Sequence, residues 1–132
     1  MKDHIPEYFL ALIKQFANLS SNQQAERAVI NISESLDKCL DYNSRRLFFD
    51  FVPNYLDNNH TTFLSNLRTK NTYYDHSILV DRIKLKQNLT DDVEVKNLLK
   101  AYIETINIIV GPSSAAKIKN ALPTQLISDI YQ

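Results

Sequence analysis

Residues 25–40 read AERAVINISESLDKCL, with Ala25, Ala28, Val29, Ile32, Leu36, Cys39 and Leu40 at i, i+3, i+4, i+7, i+11, i+14 and i+15. That spacing draws one apolar stripe along a helix, not the alternation of a half-buried strand. Seventy residues on, the stretch VKNLLKAYIETINIIV (residues 95–110) keeps all seven positions apolar, as Val95, Leu98, Leu99, Tyr102, Ile106, Ile109 and Val110. Ser21 precedes the first stripe with Gln24 three residues later, the pattern of a capping box. Leu19-Ser20-Ser21 returns as Leu89-Thr90-Asp91, again a leucine followed by cap-forming residues.

The recurrence extends to both sides. Pro6 stands where a first helical turn tolerates a missing N–H, ahead of Tyr8, Phe9, Leu12, Ile13 and Phe16. After Asp41-Tyr42-Asn43 a third helix is signalled by Phe48, Phe51, Val52, Tyr55 and Leu56, with Pro53 expected to kink or split it. Val52-Pro53 with Leu56 returns as Leu122-Pro123 with Leu126, while Ile13-Lys14 and Asn18-Leu19 return unchanged as Ile83-Lys84 and Asn88-Leu89. No gap is needed between residues 5–56 and 75–126, so the expected organisation is an internal duplication of a three-helix unit. Residues 57–74 connect the copies. There Asn58-Asn59 marks a turn, and Thr61 to Leu67 reads as a short helix packed through Phe63, Leu64 and Leu67. Each copy is small for independent stability, so the two are expected to share one core in a single domain spanning 1–132. The predicted fold class is all-α, two tandem three-helix repeats and a connector helix packed as one bundle. The helix over 92–110 carries Ala101 and Ile108 on the side opposite its stripe and Ile103 at its flank, so it is expected to be central, with Ile108 buried.

Composition removes several function classes. The chain has 132 residues, 15 basic and 15 acidic, so no global charge draws it to nucleic acid or an anionic membrane. Its one glycine, Gly111, cannot build a phosphate-cradling loop, and no cofactor motif is present. Its one cysteine, Cys39, permits no internal disulfide and sits on the stripe, where a small buried apolar role is expected. No apolar run approaches the roughly 20 residues of a membrane span. Met1-Lys2-Asp3-His4 opens no signal-peptide pattern, so a cytoplasmic location is expected.

The unit is thus a helix, a cap, a long amphipathic helix, a break, and a helix ending in an apolar-Pro step before an aromatic C-terminus. In the second copy that last element reads Ala116-Lys117-Ile118-Lys119-Asn120-Ala121-Leu122-Pro123, followed by Ile130-Tyr131. The layout resembles a bacterial family of duplicated helical proteins, cyanobacterial members included, catalogued only as a domain of unknown function. Phe63-Leu64-Ser65-Asn66-Leu67-Arg68 is similar to a segment between the copies of some members. The resemblance implies an all-helical duplicated fold and brings no catalytic residues, cofactor or established activity.

Candidate chemistry is sparse. Asp75-His76-Ser77 unites three triad residue types, but helical neighbours point about 100° apart, so a cap formed by Asp75 or Ser77 is the simpler reading. His4, His60 and His76 have no metal-ligand spacing. Glu34 and Glu104 are the acidic pair kept by the recurrence, and each lies opposite its stripe, where a solvated face is expected. Asp91, Asp92 and Glu94 complement the N-terminal dipole of their helix. Tyr73-Tyr74, Phe48, Phe49 and Phe51 read as packing more readily than as base stacking. Arg82, Lys84, Lys86, Lys96 and Lys100 form the densest basic stretch, too slight for a nucleic-acid domain.

The copies disagree in one direction. Leu12, Phe16, Leu47 and Phe49 correspond to Arg82, Lys86, Lys117 and Lys119, four apolar residues against four cations. Either the connector covers the first copy's face, or Leu12, Phe16, Leu47 and Phe49 form a patch for a partner or a second copy. The expected function is therefore a non-enzymatic interaction or regulatory module, binding a protein partner or itself. The alternatives are weak nucleic-acid or acidic-partner binding through Arg82, Lys86, Lys117 and Lys119, and a small-molecule pocket between the repeats.

Overall fold

A computed structural model describes residues 5–51 and 74–131, the side chains of 49–51 excepted. Among these residues there are seven helices and no strand: α1 (Glu7–Ala17), α2 (Asn22–Cys39), α3 (Tyr42–Phe51), α4 (His76–Gln87), α5 (Asp92–Val110), α6 (Pro112–Ala121) and α7 (Thr124–Ile130). The predicted all-α bundle is what the chain forms. Pro53 and the connector helix over 61–67 lie outside the described residues.

The caps explain the boundaries. Ser21 Oγ accepts from the Gln24 amide at 3.1 Å, and the Gln24 side chain returns to the amide of Ser20 at 2.9 Å, one residue earlier than a standard capping box. Asp91 accepts from the Val93 amide at 2.9 Å to start α5. Helices α1 and α4 end alike, on Asn18 (φ 56°) and Asn88 (φ 57°) in the left-handed region that asparagine tolerates. The leucine after each then bonds back, Leu19 to the Lys14 carbonyl at 2.9 Å and Leu89 to that of Lys84 at 2.8 Å. Pro6 lies one residue before α1 rather than inside its first turn. Helix α3 starts earlier than predicted, at Tyr42, because Asp41 caps it through the Ser44 amide at 2.8 Å. Pro123 separates α6 from α7, as its missing N–H requires.

The halves interleave. Helix α1 packs chiefly on α5, α2 on α4, and α3 on α6, so the first helix of each half lies against the second helix of the other. Exchanging the halves exchanges these contacts. One core results. Ile13 with Ile83, Leu36 with Ile106 and Phe48 with Ile118 are all buried in it, each pair seventy positions apart. Cys39 is buried in the same cluster. Where Tyr102 replaces the aliphatic Ile32 of the first half, its hydroxyl shares a 2.7 Å hydrogen bond with buried Ser33 Oγ. That bond satisfies two polar groups that burial would otherwise penalise. Helix α5 is central, in contact with α1, α2, α4, α6 and α7. Ala101 and Ile103 are buried as expected, but Ile108 is not: it is 54% exposed. Its position one turn past Glu104 carries it off the packed side, and an isolated surface isoleucine is tolerated.

Candidate interaction groove

Two places relate by exchange of the halves: where the end of α4 meets α2, and where the end of α1 meets α5. They are filled differently. At the first, the Asn31 side-chain amide donates to the Lys86 carbonyl at 3.3 Å and to the Gln87 side chain. Beside it, Lys86 Nζ donates to Glu34 Oε1 at 3.1 Å. These bonds narrow the seam, which keeps a smaller hollow of about 250 Å³ lined by Gln23, Glu26, Arg27, Ile30 and Asn31.

At the second place the corresponding residues are Ala101 for Asn31, Ala17 for Gln87, Phe16 for Lys86 and Glu104 for Glu34. Two alanines stand where two amides meet, and the space is left open. The result is a groove of about 510 Å³, lined by all four of these residues together with Leu19, Leu89 and Leu98. Its rim includes Glu94, Asn97 and Lys100. Phe16 stands at the groove 42% exposed, an uncommon state for a phenylalanine. Glu104 is half-buried and forms no ion pair within the described residues. The Tyr131 hydroxyl is pushed up to about 12, first by burial and then by the neighbouring Glu104 carboxylate. Lys100 lies 5.9 Å from the Tyr131 ring centroid.

The residues singled out by the copy comparison are not brought into one patch by any described contact. Phe16 enters the groove. Leu12 is half-buried on α1, Leu47 is exposed on α3, and the side chain of Phe49 lies outside the described residues. Of the basic set, Lys86 is engaged by Glu34, and Lys119 lies 5.7 Å from the Tyr131 ring centroid. Arg82 is half-buried and Lys117 exposed. Glu34 is likewise half-buried and paired, where a solvated face was expected.

Asp75, His76 and Ser77 do not form a triad. Asp75 Oδ1 caps α4, accepting from the Ser77 amide at 3.0 Å and the Ser77 hydroxyl at 2.7 Å. These bonds and the Ile78 amide hold the Asp75 carboxyl below the usual carboxylate range, the hydroxyl contributing most. His76 points elsewhere: its Nδ1 meets the Tyr74 hydroxyl at 2.6 Å and its Nε2 meets Asp129 at 3.0 Å. This chain joins the entry of α4 to α7. The Tyr74 hydroxyl is shifted upward, chiefly by burial. No group of three or more potential metal ligands occurs among the described residues, and none of their helices is long and apolar enough to cross a membrane. Neither the groove nor the Tyr74–His76–Asp129 chain was legible from motif spacing, since the first rests on alanines and the second joins residues distant in sequence.

Comparison with known proteins returns no matching family model, curated protein or solved structure.

Proposed function

We propose that this protein is a non-enzymatic interaction module that docks a segment of a protein partner in the groove between α1 and α5. The observation that carries the reading is the pair Ala17 and Ala101, where the related seam is filled by Gln87 and Asn31. An open trough with an apolar floor and a mixed polar rim suits an extended or helical segment. The basic-surface alternative has less support, because Lys86 and Lys119 are engaged within the chain. The recurrence of helix bounds and caps seventy residues apart supports a duplicated unit, of the kind the resembled family carries, one of whose two related corners has opened.

A photo-crosslinking residue placed at Asn97 tests the reading in native cells. Expected is a discrete adduct that a control probe at exposed Lys117 does not give, and that Ala101→Asn removes. Equal labelling from both positions, or an adduct indifferent to Ala101→Asn, overturns it. An adduct formed with a second copy of this chain would identify the partner as itself.

A further inference from the structure

The narrowed seam shows what chemistry the open groove lacks. There, Lys86 of α4 sets its ammonium 3.1 Å from Glu34 of α2, one turn beyond Asn31. In the groove that glutamate is kept, as Glu104, while the lysine is replaced by Phe16. Glu104 is half-buried and has no basic partner among the described residues. The Tyr131 hydroxyl accepts from Asn107 Nδ2 at 3.5 Å and is raised in part by the nearby Glu104 carboxylate, whose lone pairs can take a further donor. A second carboxylate, Glu94, lines the same groove. Its one basic residue, Lys100, sits near the Tyr131 ring. Ala17, Leu98 and Ala101 supply an apolar floor on which a four-carbon stem can lie. The exposed Phe16 ring flanks the same space and offers a face to a cation.

We infer that the segment docked in the groove bears a lysine whose ammonium seats on Glu104, as Lys86 seats on Glu34. This rests on the docking reading above and adds the chemistry of the occupant. A neutral or acidic segment would give the half-buried carboxylate no direct ion pair, with Lys100 of the groove placed over the Tyr131 ring, so the groove favours a cationic one.

The test uses the full chain, labelled with ¹⁵N, and three peptides: acetyl-Ala-Leu-Lys-Leu-Ala-amide and its variants with glutamine or glutamate at the centre. Expected are amide shift changes over residues 97–104 and at Phe16, with the lysine peptide about two- to five-fold tighter than the glutamine one. The glutamate peptide should be weakest. In Glu104→Gln the lysine preference should vanish while the glutamine peptide binds as before. Phe16→Lys, which supplies the cation from within, should also abolish the preference without lowering the melting temperature, and it decides the matter if Glu104→Gln fails to fold. Three peptides of equal affinity, all shifting the groove, would overturn the lysine inference and leave docking intact. No shift over 97–104 with any peptide would overturn both.

Discussion

The seam between α2 and α4 and the groove between α1 and α5 join corresponding helices of the two halves and differ in a few side chains on helix flanks. Behind both lies the same core: Ile13 and Ile83 are each fully buried, each one turn before a left-handed asparagine cap. In front, Asn31, Gln87, Lys86 and Glu34 narrow one corner, while Ala101, Ala17, Phe16 and Glu104 leave the other open. The difference teaches that the stripe alone sets how the helices pack, since it is apolar in both halves. Positions off the stripe diverge more freely, although Ala101 itself is buried at the edge of the core.

The largest effect should be blind to the difference. Ile13→Ala and Ile83→Ala should each cost about 2–5 kcal/mol, and by similar amounts, measured as chemical denaturation midpoints. Costs that differ by more than about 2 kcal/mol would show that the halves contribute unequally to the core and break the comparison at its root.

The corners themselves should respond unequally. Asn31→Ala copies the groove residue into the seam and strands the Gln87 amide, at a cost of about 1 kcal/mol. Ala101→Asn starts from a buried position but can direct its amide into the open groove, and should cost less than Asn31→Ala. Equal penalties from both substitutions would mean that the groove cannot seat the added amide.

A smaller effect concerns charge. Lys86→Ala should cost at most about 1 kcal/mol, because the Lys86–Glu34 pair is partly exposed, and the loss should shrink in high salt. A salt-independent loss would point to the packing of the lysine stem instead.

The smallest effect separates the caps. Asp75 is ionised in the folded state at pH values where an unfolded aspartate has begun to protonate, since its folded value is depressed. Its stabilising contribution is therefore complete above the unfolded value of about 3.9 and disappears as pH falls through the lower folded value. The cap of α2 is Ser21, which does not titrate over that range. Hydrogen exchange below about pH 4 should lose protection at Ser77 and Ile78 before Gln24. Simultaneous loss would place the acid response elsewhere.

How much of this was readable in advance follows from what each feature is made of. The stripe of α2 and α5, the Ser21 and Asp91 caps and the break at Pro123 were legible because each is a residue type at a fixed helical spacing. Ile108 misled for the same reason: apolarity on the side opposite a stripe suggests burial, yet its placement relative to α1 and α7 is a property of packing. The groove is made of Ala17 and Ala101, which in sequence are ordinary helix formers. A signal did exist, since aligning the copies sets Asn31 against Ala101 and Gln87 against Ala17, two polar-to-alanine changes that meet in space. Comparing the apolar and basic residues found Phe16 and missed the alanines beside it. The Tyr74–His76–Asp129 chain had no local signal at all, because Asp129 reaches His76 only through the placement of α7.

The interleaving of the halves sets the order in which the molecule comes into being. Helix α1 has its main partner in α5, α2 in α4 and α3 in α6, so the contacts that matter most join residues far apart along the chain. For a helical protein this is a high contact order, and folding should be slow for the class. During synthesis at about 5–20 residues per second, the roughly fifty residues between the end of α2 and the end of α4 take about 2–10 s to emerge. Throughout that interval Val29, Ile32 and Leu36 have no α4 to cover them. The nascent first half is thus a sticky amphipathic hairpin waiting for its mate, a substrate for whatever holdase the cell provides.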